Sequence, residues 1–300
     1  MTAAWTGGWS QVDLRHLDRA AAVALSVADD ASMPEVLYQG WYAAPQEPSE
    51  QLPAWSAPLD SVLRTAHVGA RSWSGPWPVV GNGVAGVAVV QAAGSRRAAA
   101  RGDYLTEGPG AGLAPRAGSR VLVTRRRGGY AYDGWWRTWS DDWRPADSPP
   151  ELSRIYLAPS LHRLAHLVAA VTGVLAGCEH AWSLKVGADP ATLARADGAV
   201  LYLPDEAIAE TAPRIVSACR HLVRAATPPC TRPLAPGIAW AEDPGTGDSF
   251  GEVIARLVAR AWRKRSAEQT LADAAGRVFR SAGLDPSAPH LRGPLAEALR

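Results

Sequence analysis

The sequence of 300 residues is poor in several features that mark large protein classes. Its three cysteines, Cys178, Cys219 and Cys230, are widely spaced and include no CxxC pair, which argues against a disulfide framework and a zinc site. Lys plus Arg total 31 and Asp plus Glu total 29, so no excess of positive charge points to nucleic acid or to a membrane surface. We therefore expect neither as a partner.

Long apolar runs are also missing, and residues 1–18 lack a basic start followed by an apolar stretch. These absences predict a soluble, cytoplasmic protein. The histidines form no HExxH arrangement, and the pair His162 and His166 has no acidic ligand nearby in the sequence. There is no GxxxxGK[ST] loop for nucleotide phosphates either. We expect no metal and no cofactor.

Lysine is scarce, with two residues against 29 arginines, and this scarcity draws attention to where the two lysines lie. Lys264 belongs to a basic run near the end of a helical pattern, where a solvated charge is sufficient explanation. Lys185 lies in the apolar string AWSLKVG, which is typical of a strand. Burial there disfavours an ammonium and favours a neutral amine that can act as a base. The alternatives are a lysine that reaches solvent, or one paired with Asp197 for structure.

The order of patterns along the chain predicts an α+β fold. Apolar residues at helical spacing predict helices over 12–29 and 59–70, with a short helical or extended piece at 34–42. Alternating residues bounded by Gly, Pro and Asp then predict an antiparallel β-meander, and after residue 150 strands alternate with helices packed on a sheet. We expect an N-terminal part at 1–150 and a C-terminal part at 151–300, or one continuous domain with a shared sheet.

Two further groups of residues have the chemistry to bind an anion. Arg154 and Tyr156 lie two apart in a predicted strand and so share a face. Arg232 precedes a Gly-rich turn that leads to Ser249 at a predicted helix start, where backbone N–H groups favour phosphate. The alternative for this second group is an ordinary loop in which Asp248 or Ser249 caps the helix.

Several strings of the sequence, in their order, resemble the HopA-type effector family. They are RIYL at 154–157, SLKV at 183–186, LARADGAVLYL at 193–203 and GIAWAEDPGTGDSFG at 237–251. The resemblance extends upstream through LYQGWY at 37–42, SGPW at 74–77, GDYL at 102–105 and AYDG at 131–134, and so covers nearly the whole chain.

This resemblance implies a function. Family members stand beside a kinase-like protein in the biosynthesis of class V lanthipeptides and thioamitides, where the kinase phosphorylates Ser or Thr of a precursor peptide. The HopA-like partner eliminates phosphate to leave dehydroalanine or dehydrobutyrine. Other members are bacterial effectors, and the alternative function is therefore a non-catalytic phosphopeptide-binding, effector or scaffold protein on the same fold.

β-Elimination needs a base for the Cα–H, stabilisation of the enolate-like oxygen and cations for the departing phosphate. Lys185 fits the first role, and the general acid is left open, with His180 the nearest histidine in the sequence. The expected catalytic residues are Lys185, Asp197, Tyr202 and Tyr156, and the expected phosphate-binding residues are Arg154, Arg195, Arg232 and Ser249. A structure should therefore show Lys185 and at least two of Arg154, Arg195 and Arg232 converging on one cleft wide enough for a peptide.

Overall fold

The structure is a computed structural model of the 300-residue chain. It describes residues 8–27, 29–45, 57–92, 94–108, 111, 113–125, 127–132, 134–140, 142–143 and 151–292. The described residues form helices and two antiparallel sheets, of five and seven strands, which confirms the predicted α+β class. Within these ranges, no helix combines the length and the apolar character needed to span a membrane.

The five-stranded sheet is the N-terminal meander. Its strands are β1 (Trp73–Asn82), β2 (Ala88–Ala92), β3 (Ser95–Ala99), β4 (Tyr104–Thr106) and β5 (Arg120–Thr124), in the order β3-β2-β1-β5-β4. Alternate residues such as Val79, Val90 and Val121 form a small separate core. Most of this sheet follows the predicted alternation, although β3 has too many polar residues to be recognised in the sequence.

The seven-stranded sheet carries the candidate site. Its strands are β6 (Arg127–Tyr132), β7 (Trp135–Trp139), β8 (Leu152–Leu157), β9 (Ser183–Gly187), β10 (Ala199–Pro204), β11 (Arg232–Ala235) and β12 (Ile238–Glu242). They lie in the order β11-β12-β8-β10-β9-β7-β6. Because β6 and β7 precede residue 150 and the other five strands follow it, the sheet contains strands from both predicted parts. The alternative prediction of one continuous domain allowed such a shared sheet. β11 was missed in the sequence because Pro233 and the prolines before it suggest a loop.

Helices cover both faces of this sheet. The helices are α1 (Gln11–Leu25), α2 (Met33–Leu37), α3 (Leu59–Ala66), α4 (Leu164–Leu175), α5 (Pro190–Leu193), α6 (Ile208–Cys219), α7 (Phe250–Lys264) and α8 (Leu271–Ser281). Helices α1, α2, α7 and α8 share a core with Tyr156, Val200 and Ala239 on one face. Helices α3, α4 and α6 share a core with Ile155, Leu184 and Leu201 on the other.

The strand register decides which side chain belongs to which face. Residues directly opposite each other in an antiparallel pair lie on the same face of the sheet. Tyr156 lies opposite Val200, which lies opposite Lys185, so these three share a face. Their neighbours in sequence, such as Ile155, point to the other face. Every residue of β8 is buried, because helices cover this strand on both sides.

A tight contact fixes the helical layer above the candidate site. α2 continues into a single π-helical turn, Tyr38–Tyr42, which directs both tyrosines toward the sheet with their rings stacked at 6.1 Å. The Tyr42 ring lies against the backbone of α7, where a Cβ on Gly251 would come within 2.3 Å of it. Only glycine allows this approach, which explains the glycine of the SFG string.

Candidate functional site

Lys185 lies where the helical layer over the sheet ends. On β9 it is opposite Val200 of β10 and Arg137 of β7. Its ammonium is 4.2 Å from the centroid of the Trp135 ring and 5.9 Å from that of Tyr202, within range of a cation–π contact. The side chain is half-buried, and among the described residues it forms no ion pair with a carboxylate. The predicted alternative of a structural pair with Asp197 is therefore not what the structure has.

The hydroxyl of Tyr202 is the point on which the positive charges converge. Burial alone would raise the pKa of Tyr202, but the charges of Lys185 and Arg154, a hydrogen bond to Lys185 and the charge of Arg137 together lower that pKa below its usual 10.0. The Arg154 guanidinium carbon lies 5.2 Å from the Tyr202 ring centroid. This part of the surface therefore favours negative charge, and Tyr202 is a stronger hydrogen-bond donor than an ordinary tyrosine.

Arg154 is almost completely buried, and its guanidinium is paired with a carboxylate. Its Nε donates to Asp243 Oδ2 at 2.7 Å, and its Nη2 donates to the same oxygen and to the Asp248 carbonyl oxygen at 3.3 Å. Burial would lower the pKa of Arg154, but the hydroxyls of Tyr202 and Tyr156 and the carboxylate of Asp243 raise it above its usual range. Its Nη1 makes no hydrogen bond within the described ranges.

Arg195 is fixed by Asp197 in a fork of two hydrogen bonds. Arg195 Nε and Nη2 donate to the two carboxylate oxygens at 2.7 Å each, and Nη2 also donates to the Tyr38 hydroxyl at 3.0 Å. Burial would lower the pKa of Arg195, whereas Asp197 and Tyr38 raise it. The expectation that Asp197 would orient either an arginine or the lysine is resolved in favour of the arginine, because both carboxylate oxygens bind it.

The Trp135 ring contacts both Lys185 and Arg195. The Lys185 ammonium lies 4.2 Å from its ring centroid, and the Arg195 guanidinium carbon lies 5.5 Å from the same ring. Arg154 and Arg195 thus both lie near Lys185, around Tyr202 and Trp135. The cleft wide enough for a peptide, which the hypothesis also required, stays a prediction.

The family model described as the HopA1 effector protein family matches residues 133–291, more than half of the chain. The chain belongs to this family. The expected resemblance is thereby confirmed. No curated protein matches the chain significantly.

Two solved structures of effector proteins have a similar fold. An effector protein from Pseudomonas syringae pv. tomato strain DC3000 is 16% identical, with a TM-score of 0.58, over 96% of this chain and 100% of that one. An effector protein from Pseudomonas syringae pv. syringae strain 61 is 14% identical, with a TM-score of 0.56, over 94% of this chain and 97% of that one. At these identities the likeness concerns the fold alone.

The part that matches the HopA1 family contains the strands that carry the site, from Trp135 to Asp243. Tyr38 and Tyr42 lie outside the matched part and reach the site through the π-helical turn. The N-terminal helices therefore complete a site whose charged residues all come from the HopA1 region.

Arg232 is not part of this site. It lies opposite Trp240, which lies opposite Ile155, so Arg232 is on the face that Ile155 occupies. Arg232 was expected to clamp phosphate with Arg195, with Arg154 as a third candidate. The register corrects this expectation, because the sheet separates the side chain of Arg232 from that of Arg154. Instead the charge of Arg232 contributes to lowering the pKa of His290, after the larger effect of burial.

Ser249 caps a helix, as the alternative interpretation held. Its hydroxyl accepts a hydrogen bond from the Glu252 amide at 3.2 Å, and the Glu252 carboxylate accepts one from the Ser249 amide at 2.7 Å. This capping box occupies the N-terminus of α7 with a carboxylate, which disfavours a second anion there. The expected phosphate contact of Ser249 is corrected accordingly.

Tyr156 is too deeply buried to reach a substrate. Its side chain is 3% exposed, and its hydroxyl is enclosed without a hydrogen-bond partner within the part of the chain that the structure describes. Burial raises the pKa of Tyr156 well above its usual value, against a smaller lowering effect of Arg154. Of the two tyrosines considered for the enolate oxygen, Tyr202 is the one with the suitable position.

His180, considered as an acid, lies outside β9, with Nδ1 3.9 Å from Glu206 Oε1.

Three residues of the site were not singled out in the sequence, namely Tyr38, Arg137 and Asp243, whereas Trp135 was considered only as one of several tryptophans that could line a peptide groove. Trp135 and Arg137 alternate in the string GWWRTW, and this alternation would have placed them on one face of β7. Asp243 stands in the string AEDPG, but its pairing with Arg154 joins residues 89 positions apart and has no local signal.

Two short strings match the spacing of common motifs without having their structural context. GNGVAG at 81–86 has the GxGxxG spacing, but it lies in a turn between antiparallel strands β1 and β2 and leads to no helix longer than one turn. GDSFG at 247–251 has the GxSxG spacing, but Ser249 has ordinary extended backbone angles and its hydroxyl is engaged as the helix cap. Within the described ranges, no cluster of His, Cys, Asp and Glu has the arrangement to hold a metal ion.

Proposed function

We propose that the chain is a phosphoserine or phosphothreonine lyase, which eliminates phosphate from a phosphorylated precursor peptide to leave dehydroalanine or dehydrobutyrine. One observation carries the proposal. Lys185 has no carboxylate partner among the described residues, and it lies on a charged surface with Arg137, Arg154 and Arg195. A base and several fixed cations on one half-open face are the groups that this elimination requires.

In the proposed reaction the Lys185 ammonium first gives a proton to solvent, and the resulting neutral amine removes the proton from Cα of the phosphorylated residue. The electron pair of that C–H bond forms the Cα–Cβ double bond, and the Cβ–O bond breaks with its electron pair leaving on phosphate. The proton remains on Lys185 until the departing phosphate or water takes it. Because atoms and charge balance without an oxidant, the reaction needs no redox partner.

Tyr202 and the arginines have distinct roles in this scheme. The Tyr202 hydroxyl, with its lowered pKa, donates to the peptide carbonyl oxygen as negative charge develops there. The Nη1 groups of Arg154 and Arg195 and the guanidinium of Arg137 bind phosphate oxygens. Asp243 and Asp197 hold Arg154 and Arg195 in place before substrate arrives, so little reorganisation is needed on binding.

The proposed substrate is a peptide phosphorylated by a kinase-like partner protein that forms a complex with this chain, in the biosynthesis of a thioamitide or a class V lanthipeptide. The resemblance of the strings around Lys185, Asp197 and Asp243 supports this assignment. Co-purification of the chain with the product of a neighbouring kinase-like gene tests the partnership independently of the chemistry.

The direct test of the activity is incubation of the purified chain with synthetic phosphothreonine and phosphoserine peptides. Released phosphate and a peptide lighter by one phosphoric acid are expected, with the alkene trapped by a thiol. The matched controls are Lys185→Ala, expected to be inactive, and Lys264→Ala at the exposed end of α7, expected to be active. Tight phosphopeptide binding by both the wild type and Lys185→Ala, without turnover by either, would favour the non-catalytic phosphopeptide-binding protein instead.

A further inference from the structure

A cavity of about 610 Å³ adjoins Arg195 on the far side of the π-helical turn from the buried core. Its volume lies in the range of about 300 to 1,000 Å³ that is typical of ligand pockets. Much of its wall consists of small apolar residues from two segments: Ala43, Ala44 and Pro45 after the π-helical turn, and Pro190, Ala191 and Ala194 around α5. The cavity is thus lined mainly by methyl and ring carbons, with Arg195 in its wall.

We propose that this cavity binds an apolar side chain of the phosphopeptide, close in sequence to the phosphorylated residue. The inference rests on the proposed function for the identity of the ligand. It assigns a specificity-determining subsite to residues that have no part in the chemistry.

The wall of the cavity is held in a fixed shape. Arg224 Nη2 donates to three successive carbonyl oxygens, those of Leu193 at 3.2 Å, Ala194 at 2.8 Å and Arg195 at 3.0 Å. The start of α5 is fixed as well, because the Thr192 amide donates to Asp189 Oδ1 at 2.9 Å. Because these hydrogen bonds fix the backbone of the pocket before a ligand arrives, less conformational entropy is lost on binding.

The cavity adjoins the candidate site through Arg195, which lies in the cavity wall and beside the Trp135 ring. The Lys185 ammonium is 4.2 Å from the Trp135 ring centroid, and the Arg195 guanidinium carbon is 5.5 Å from that centroid. An extended peptide advances about 3.3 Å per residue, so about three residues cover this distance. A peptide with its phosphorylated residue at Lys185 therefore brings a side chain one to three positions away to the cavity.

The chemistry of the wall favours an apolar side chain over a second phosphate. The guanidinium of Arg195 is turned toward Asp197, Tyr38 and Trp135, and that of Arg224 is directed at backbone carbonyl oxygens. The other polar side chains of the wall are also engaged, because Gln39 donates to Glu35 and Thr192 donates to Asp189. The remaining surface contributed by Ala43, Ala44 and Ala191 has no donor of its own beyond the backbone. Burial of a leucine-sized side chain in such a pocket is favourable, whereas burial of a carboxylate without a partner is costly.

The experiment compares phosphothreonine peptides that carry Leu or Asp at each of the three positions on either side of the phosphothreonine. Wild type is expected to show, at one of these positions, a KM about tenfold lower for Leu than for Asp. Ala191→Trp fills the cavity and is expected to erase this preference. Ala209→Trp, an equally exposed alanine on α6 outside the cavity, is the matched control and is expected to retain it.

Two results would overturn the subsite. One is an unchanged Leu preference in Ala191→Trp, with its fold verified by circular dichroism. The other is an equal rise of KM for the Leu and Asp peptides, which would mean that the substitution acts by displacing Arg195. If wild type releases no phosphate from any peptide, the lyase proposal fails, and the same peptides are compared by their dissociation constants. A Leu preference in binding that Ala191→Trp abolishes would still support the subsite.

Discussion

The two faces of the seven-stranded sheet are built from the same strands and have opposite characters. On β8, Ile155 and Leu157 point to a face that is filled by apolar side chains of α4 and α6. Arg154 and Tyr156, which alternate with them, point to the face that carries the charged cluster. The helices over this second face cover β12, β8 and β10, whereas Lys185 on β9 and Trp135 on β7 are only partly buried.

This difference shows how the fold accommodates a charged candidate site with little loss of stability. The apolar face stabilises the sheet by burial alone. On the other face, the desolvated arginines are each paired with a carboxylate, as buried charges must be. Lys185, at the margin of the helical layer, keeps access to solvent and to a substrate. The apolar core and the proposed reactive groups thus lie on opposite sides of one sheet, and substitutions on the two sides should have separable effects.

The largest effect is expected for Lys185→Ala, which should reduce kcat for phosphate elimination by about 100-fold or more, because it removes the proposed base. The substitution should leave the unfolding midpoint nearly unchanged, since the side chain is half-buried and has no carboxylate partner among the described residues. Measurement of kcat and of the thermal midpoint for this variant and for Lys264→Ala checks it. A similar loss of activity in both lysine variants would contradict the assignment.

The next effect concerns the buried ion pair. Asp243→Ala leaves the Arg154 guanidinium buried without its carboxylate and should lower the free energy of unfolding by about 3 to 5 kcal/mol. Glu210→Ala removes an exposed pair with Arg214 and should cost less than about 1 kcal/mol. Urea denaturation of the two variants makes the comparison. Equal small losses would mean that Arg154 does not depend on Asp243.

Two buried histidines, one on each face of the sheet, allow the pH dependence of stability to be predicted. His67, packed on the apolar face, accepts from the Gly69 amide through Nδ1 and contacts Thr138 through Nε2, whereas His16 of α1 has an Nδ1 without a partner within the described ranges. Burial, with smaller effects of Arg19 and Arg15, lowers the pKa of His16 to about 4. The neutral form therefore stabilises the fold above about pH 6.5, and this stability is lost as the pH falls toward 4.

The loss should amount to at most about 3 kcal/mol between pH 6.5 and 4, from 1.36 kcal/mol per unit of pKa shift. Asp13, whose pKa burial raises, has the opposite effect near the low end of this range. Urea denaturation at a series of pH values should show a shallower dependence for His16→Asn than for wild type. Parallel curves for the two proteins would contradict a neutral buried His16.

The smallest effect is expected on the apolar face. Ile155→Val removes one methylene from a fully buried side chain and should lower the free energy of unfolding by about 0.5 to 1.5 kcal/mol, with kcat unchanged. Denaturation and steady-state kinetics on the same preparation check both halves of the prediction. A fall in kcat without a loss of stability would break the separation of the two faces.

The sequence was informative where the signal was local. Lys185 was recognisable as a rare lysine in an apolar strand, and Arg154 with Tyr156 as neighbours on one strand face. The helix cap at Ser249 was among the stated alternatives, since Ser at a helix start with Glu three residues later is a recognisable pattern.

What could not be predicted depends on register and on contacts distant in sequence. Arg232 was expected to bind the same phosphate as Arg154 because it precedes a Gly-rich turn and a predicted helix start. Only the pairing of β11, β12 and β8 shows that the two arginines lie on opposite faces of the sheet. The contact of Tyr38 with Arg195 joins residues 157 positions apart and requires a π-helical turn, for which no sequence rule was available. The depth of Tyr156 depended on the helical layer above it, which the strand pattern does not reveal.

The most direct test of the central claim, that Lys185 removes a proton from Cα, is a single-turnover measurement with phosphothreonine peptides that carry hydrogen or deuterium at Cα. The account predicts an alkene product together with free phosphate, and slower formation of both from the deuterated peptide. Release of phosphate with recovery of an intact threonine peptide, at equal rates for the two isotopes, would contradict it and would identify the reaction as hydrolysis.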